Sequence, residues 1–235
     1  MTLGAIEPAQ QTAAKVAGFL YLVTMVIPLL AELYLRAPLM VHGDAVQTAR
    51  NILASERLFR LSIVLGLIAV AAEVILLVAL YVVLEPINRN VALLAAFWWL
   101  AKCVIFAAIA LTDFVALRLL SGAGYLRALD TKQLQALAEL FIRTRHDGGF
   151  IGGVFLGLGS TIFAYLWWNS RYIPRGLAAL GIFSSLALAI GILGLMLFPD
   201  LAPVVGQAYW APIFIFEVIL GLWLLVKGIQ PSMIE

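Results

Sequence analysis

Apolar residues are gathered into six long runs, separated by shorter polar stretches. The runs cover about residues 16–35, 61–84, 91–117, 148–168, 177–198 and 209–226. A helix of about 20 apolar residues matches the ~30 Å hydrocarbon core of a bilayer. Backbone in lipid must satisfy its own hydrogen bonds, and the short alternating segments of a β-barrel are absent from the sequence. The pattern therefore predicts an all-α fold, a polytopic integral membrane protein with six transmembrane helices in one domain, 1–235.

The first and third connections each carry the pattern of an amphipathic helix. Asp44 with Gln47, and Asp130 with Gln133, have the spacing of a helix N-cap and its N3 residue. Apolar residues then recur at helical spacing, in the first connection from Val46 to Phe59, with arginines among them. We expect two helices that lie in the membrane interface. The alternative is that they pack as caps over the bundle.

Composition narrows the class of protein. The chain is 64% hydrophobic and 12% charged, whereas soluble chains are roughly 45–50% apolar and about 25% charged. This excludes a soluble enzyme, a disordered chain and a secreted disulfide scaffold. The net charge of +2 offers no strong field for nucleic acid. Two histidines and the single Cys103 cannot build the expected zinc, haem or di-iron sites, so we predict no metal site of these kinds and no cofactor. A cation site made of carboxylates alone stays open.

The topology signals for orientation conflict. Nine Lys and Arg residues lie outside the runs on the side of loops one, three and five, and five lie on the side of the termini. By the positive-inside rule this places the long loops in the cytoplasm. The arginines of amphipathic helices can instead snorkel, and an even number of spans puts both termini on one side. We expect a multi-pass protein of the bacterial plasma membrane with cytoplasmic termini.

Three ionisable residues lie deep inside apolar runs, at a similar depth. They are Glu73, Lys102 and Glu217. A lone charge at that depth costs at least ~2.5–3.5 kcal/mol, so we expect Lys102 to face one or both glutamates. With two carboxylates for one ammonium, one glutamate keeps or shares a proton.

A second polar group lies nearer the face of the long loops. It comprises Glu32, Asp113, His146 and Asp147. Lys102 and Asp113 are about three helical turns apart and share one helix face, so a polar track can lead from the loops to the central trio. The functional interpretation is a site for a polar or cationic substrate, or a proton relay. The structural alternative is an ion pair that fixes helix register, with the loop-side acids simply reaching water.

Glycines recur at a regular spacing in the fourth apolar run, whereas the common catalytic motifs are absent from the sequence. Gly149, Gly153 and Gly157 are four residues apart, which lets helix backbones approach closely. We expect internal packing there, with homodimerisation as the alternative. No Gly-x-Ser-x-Gly or His-Glu-x-x-His motif occurs. We predict no catalytic residue; an enzyme would have to use Ser121 with His42 or His146.

Several strings resemble a known family. The most specific is Gly43–Leu61, GDAVQTARNILASERLFRL. Further matching strings are Leu80-Tyr81, Glu85–Arg89, Leu119–Leu126, Gln133–Phe141, Tyr172–Arg175, and Glu217 followed by Leu222–Gly228. Together they resemble, from about Val16 to Gly228, a bacterial membrane family catalogued as a domain of unknown function, family number 4386. The resemblance implies a six-helix membrane protein and supplies no reaction.

Three functions remain open from the sequence. The first is a small transporter or membrane binding protein that uses the central trio for a proton or a polar or cationic small molecule. The second is a structural or accessory subunit that binds a second copy or another membrane protein. The third is a lipid-acting enzyme with the loop helices as a lid. Convergence of the three side chains around a wet cavity reachable from one face favours the first, and a dry, tightly packed bundle with the trio mutually satisfied and no cavity favours the second.

Overall fold

The computed structural model describes residues 6–41, 43–121, 130–201 and 208–230, which form seven α-helices and no β-strand. The helices are α1 (Pro8–Leu30), α2 (Ala45–Ala54), α3 (Glu56–Leu84), α4 (Arg89–Leu120), α5 (Thr131–Ser170), α6 (Arg175–Leu197) and α7 (Ala211–Val226). A π-helical segment, Ala31–Arg36, and a 3-10 turn, Ala37–Leu39, follow α1. Two further 3-10 turns, Pro199–Leu201 and Ala208–Trp210, lie between α6 and α7. The all-α prediction is confirmed.

Five helical stretches are long and apolar enough to cross a bilayer. They are Pro8–Leu39, α3, α4, α5 and α6. The sixth apolar run forms α7, which has 16 residues and is therefore shorter than the ~20 that a perpendicular crossing needs. The structure thus supports a membrane protein with five clear candidate spans and one shorter apolar helix.

The helix of the first connection begins where the sequence predicts. The Gln47 N–H donates to Asp44 Oδ1 at 2.8 Å, so Asp44 is the N-cap of α2. The helix ends earlier than expected, because the backbone of Ser55 leaves the helical region. Phe59, assigned from the sequence to the loop helix, belongs to α3. A depression of about 570 Å³ lies at this junction, between Leu53 and Arg60, and includes none of the predicted site residues.

The helix predicted to begin at Asp130 in the third connection is not a separate helix, so that part of the prediction is wrong. Asp130 and Gln133 form a reciprocal capping box, with N–H to side-chain oxygen distances of 2.8 and 3.1 Å. From there α5 continues for 40 residues without a break. No proline occurs in this stretch, and glycine lowers helix stability by only about 1 kcal/mol. Gly148 and Gly149 therefore do not end the helix.

The chain divides into two compact units. Unit 1 comprises Met1–Thr24, Ala72–Cys103 and Phe150–Glu235, and unit 2 comprises Met25–Ala71 and Val104–Gly149. Unit 2 has an apolar core made of Leu39, Ile52, Phe59, Ile63, Ala110 and Leu117.

Close helix crossings build the interior of unit 1. A Cβ added to Gly18 of α1 would stand 2.7 Å from the Gly221 carbonyl oxygen of α7. At one end of the unit, the Gln10 side-chain amide donates to the Val83 carbonyl at 3.3 Å. Nearby in sequence, the Ile229 N–H donates to Gln11 Oε1 at 3.2 Å. These contacts fix the depth of α1 against the ends of α3 and α7, and so fix the level of the side chains between them.

Candidate functional site

Glu73 and Lys102 form a buried ion pair in unit 1. The Lys102 Nζ lies 2.6 Å from Glu73 Oε1, and the side chains are 7% and 13% exposed, respectively. Only the residues from Glu85 to Asn88 separate α3 from α4. Glu73 lies eleven residues before the end of α3 and Lys102 thirteen after the start of α4. In an antiparallel pair those positions fall at nearly the same level, which is why the two side chains meet.

The second oxygen of Glu73 is also occupied. The Cys103 thiol donates to Glu73 Oε2, with an S–O distance of 3.6 Å. Cys103 itself is buried. The Glu73 carboxylate therefore has a charged partner on one oxygen and a weak neutral donor on the other.

Glu217 of α7 is the third member of the group and differs from the other two. Its carboxylate interacts electrostatically with Lys102 and Glu73, and also with Tyr21 of α1. Its Oε1 atom is shielded from solvent and has no hydrogen-bond partner within the described part of the chain. The structure thus brings the predicted trio into one neighbourhood, with two carboxylates for one ammonium.

The Trp99 ring lies near the Lys102 ammonium group and packs against two further aromatic rings. The Lys102 Nζ lies 5.8 Å from the centre of the Trp99 ring. The Trp99 ring lies 6.1 Å from Tyr21 of α1 and 5.6 Å from Phe163 of α5. Trp99 is 1% exposed, so it is an interior residue and not the membrane-interface anchor that is the default for tryptophan.

Asp113 lies in unit 2, where it forms a second buried charge cluster. Arg36 binds it with both guanidinium nitrogens, at 2.7 Å to Oδ1 and 2.9 Å to Oδ2. Arg145 adds a third bond, from Nη1 to Oδ2 at 3.2 Å. Asp113 is 0% exposed. The structural alternative in which this acid simply reaches water is therefore wrong, because two arginines replace the water.

The local backbone geometry positions Arg36 within this cluster. Pro28 interrupts the hydrogen bonding of α1, since proline has no N–H to donate. The following π-helical segment closes with the Ala37 N–H donating to the Glu32 carbonyl oxygen, five residues back. The Arg36 guanidinium lies 5.1 Å from the centre of the Phe59 ring. Single turns of π-helix are frequent at functional sites, and here the turn places a buried arginine.

The remaining loop-side residues are more exposed. Glu32 Oε2 lies 3.7 Å from Arg145 Nη2, and these side chains are 48% and 39% exposed, respectively. His146 Nδ1 lies 3.8 Å from Asp147 Oδ1, with both side chains exposed. Asp113 is thus the buried member of the predicted secondary group.

The three spaced glycines of α5 have different surroundings. A Cβ on Gly157 would stand 2.8 Å from the Ser185 carbonyl oxygen of α6, and one on Gly153 would meet Ile192 and Trp210. A Cβ on Gly149 would have no atom within 4 Å. Gly153 and Gly157 therefore mark a close helix crossing, whereas Gly149 does not.

The candidate enzyme and metal groups have little support in the geometry. The Ser121 hydroxyl donates to the Leu117 carbonyl of its own helix at 2.9 Å. His42 lies outside the described residues. Within the described ranges, no group of three His, Cys, Asp or Glu side chains could hold a metal ion.

Several residues of these clusters escaped prediction from the sequence. The sequence marks Arg36 only as a basic residue on the side of the long loops, and Arg145 as one that also belongs to the amphipathic pattern of the third connection. The signal in the sequence that could have pointed to Arg36 is its position four residues after Glu32, at the end of an apolar run. For buried serines such as Ser160 and Ser185 the sequence offers no signal beyond small residues in an apolar helix.

Comparison with known proteins gives one match. The family model Domain of unknown function (DUF4386) matches residues 16–228. The chain belongs to this family. No curated protein and no solved structure matches it. The DUF4386 match covers every helix except the first two turns of α1, so both charge clusters lie within the family domain. With its several long apolar helices, this DUF4386 member is a membrane protein.

Proposed function

We propose that this DUF4386 member is a small transporter or membrane binding protein, and that Glu73, Lys102 and Glu217 form its binding site for a proton or another small cation. One observation carries the proposal: Glu217 places a second carboxylate beside an ammonium that Glu73 already neutralises. A buried carboxylate oxygen without a hydrogen bond is costly in an apolar interior. A buried acid of this kind marks a functional site by default in membrane proteins.

The sign of the ligand follows from the charges on every helix that faces Glu217. The titratable groups that interact electrostatically with Glu217 are Tyr21 on α1, Glu73 on α3 and Lys102 on α4. With both acids ionised the trio carries one excess negative charge. Binding one proton or monovalent cation makes it neutral. The nearby Trp99 ring favours cations in the same way, because the face of an indole ring is electronegative.

A purely structural role explains less of this arrangement. The Glu73–Lys102 pair alone would fix the register of α3 and α4, and it is complete without a third charge. Glu217 adds charge to that pair and leaves Oε1 without a hydrogen bond. The exposed apolar side chains, such as Phe183 and Ile190, are satisfied by lipid and do not require a partner protein.

Proton flux in liposomes tests the proposal. We expect liposomes that contain the wild-type protein to dissipate an imposed pH gradient faster than empty liposomes. Glu217→Gln removes the excess acid and should return the rate to that of empty liposomes. Glu85→Gln is the matched control, because the Glu85 side chain is 40% exposed and pairs with Arg89 at 3.4 Å; it should match the wild type. Equal rates for the wild type and Glu217→Gln would overturn the proposal.

The location in the cell is part of the proposal. We place the protein in the plasma membrane with both termini in the cytoplasm, on the view that α7 completes an even number of crossings. A membrane-impermeant reagent applied to intact cells should leave a tag at either terminus unlabelled. Labelling of one terminus alone would contradict the even number of crossings.

A further inference from the structure

Two buried serine hydroxyls in unit 1 lack the bond that other helical serines make. Ser160 is 3% exposed and Ser185 is 0% exposed, and neither Oγ has a hydrogen-bond partner in the described part of the protein. A serine in a helix can donate to a carbonyl one turn back. Ser184 does so, to Gly181 at 3.2 Å, and Ser170 does so, to Trp167 at 3.1 Å. Ser160 and Ser185 therefore direct their hydroxyls elsewhere.

The helix contacts place these two serines at one crossing. An added Cβ on Gly157 would stand 2.8 Å from the Ser185 carbonyl oxygen. Ser160 lies three residues after Gly157, about one turn along the same face of α5. The two hydroxyls thus belong to the same level of the α5–α6 contact.

Trp99 of α4 lies at the same level as this crossing. A Cβ on Gly159, the residue before Ser160, would stand 3.2 Å from the Trp99 backbone nitrogen. The Trp99 indole Nε1 is also buried without a hydrogen-bond partner in the described residues. Lys102 is less than one turn further along α4, with its Nζ against the Trp99 ring. The unsatisfied groups of Ser185, Ser160 and Trp99 therefore lie on three helices, α6, α5 and α4, that contact one another at this level, and Lys102 lies beside the Trp99 ring.

Buried polar groups without a protein partner are typically satisfied by ordered water, which makes about three hydrogen bonds to such groups. We propose that Trp99, Ser160 and Ser185 bind ordered water that extends the Glu73–Lys102–Glu217 site and carries the proton to and from Glu217. The inference rests on the proposed function, since it assigns the route of the proton that the trio binds. Each step passes a proton along a hydrogen bond from one water to the next, so no other reactant is needed.

Hydration is tested directly at the indole. In nuclear magnetic resonance of the protein with nitrogen-labelled tryptophan, we expect the Trp99 indole N–H to exchange magnetisation with water. The Trp99→Phe variant assigns that signal and keeps the ring packing against Phe163. A Trp99 indole signal without any transfer from water would overturn the inference.

The serines are tested by the rate of proton flux. We expect Ser160→Ala and Ser185→Ala each to slow the flux about tenfold, the factor that ~1.4 kcal/mol of barrier gives. Ser184→Ala is the matched control, because Ser184 is equally buried but bonds to its own helix; it should leave the rate unchanged. Thermal unfolding of each variant in detergent shows that the fold is intact.

The outcomes separate this inference from the proposed function. If Glu217→Gln abolishes the flux but both serine variants keep the wild-type rate, the route is wrong and the site stands. If the wild type shows no flux, proton transport fails as the function of the trio, whatever the indole signal shows. Should Ser184→Ala slow the flux as much as Ser185→Ala, the effect belongs to packing and the water route is rejected.

Discussion

Two guanidinium groups account for the complete burial of Asp113 in unit 2. Arg36 holds both carboxylate oxygens and Arg145 holds one of them. Charged groups are rarely fully buried unless they are paired, and two-point arginine–carboxylate pairs are among the stronger polar contacts. The Arg36–Asp113 pair therefore fixes the level of the π-helical segment against α4.

Removing one member of this pair should be strongly destabilising. Asp113→Asn leaves the Arg36 guanidinium buried without its counter-charge, and we expect a loss of about 3–5 kcal/mol in unfolding free energy. Glu32→Gln changes a half-exposed side chain 3.7 Å from Arg145, for which we expect about 0–1 kcal/mol. Unfolding in detergent, followed by circular dichroism, measures both. Equal losses in the two variants would show that burial does not set the strength of this cluster.

At the scale of the helices, α5 shows what hydrophobic periodicity can and cannot predict. The cap at Asp130 and the apolar run from residue 148 were both predicted, and the structure joins them into one helix. Capping is local chemistry between residues three apart, so the sequence predicts it. Whether a helix continues through Gly148 and Gly149 depends on small propensities and on neighbouring helices, which no short string encodes.

The glycines of α5 give a test at this scale. Gly157→Ala would push a Cβ against the main chain of α6 at Ser185, and we expect a loss of about 1–3 kcal/mol from overpacking. The Cβ that Gly149→Ala adds on the same helix would have no atom within 4 Å. The substitution should be neutral or stabilise the protein by up to about 1 kcal/mol, because alanine is the better helix former. Thermal unfolding compares the two, and a loss in Gly149→Ala as large as in Gly157→Ala would contradict this packing.

At the scale of the molecule, the described residues of each unit include a buried ion pair with a third charged group nearby. In unit 2 the third group is Arg145, a base that is part-exposed and also near Glu32. In unit 1 it is Glu217, an acid whose Oε1 is shielded and without a hydrogen bond in the described residues. The charge of Arg145 is balanced by solvent and by the Glu32 carboxylate. On the proposed function, a bound proton or cation balances the charge of Glu217, and this is why we assign that function to unit 1.

The sequence predicts much of this arrangement and misses a defined part of it. Run length predicts the apolar helices, and equal depth in those runs predicts that Glu73, Lys102 and Glu217 lie close together. It does not predict that Lys102 pairs with Glu73 at 2.6 Å while Glu217 Oε1 stays without a hydrogen bond. Helix rotation and side-chain direction decide that choice, and both arise from packing between distant segments such as α1 and α7.

The most direct test of the central claim is infrared difference spectroscopy of the protein between an acidic and an alkaline buffer. A proton bound by the trio should produce the C=O stretching band of a carboxylic acid in a site sheltered from water. We predict that this band changes with pH in the wild type and in Glu85→Gln, and that Glu217→Gln removes it. A band that persists unchanged in Glu217→Gln would contradict the assignment of Glu217 as the group that takes up the proton.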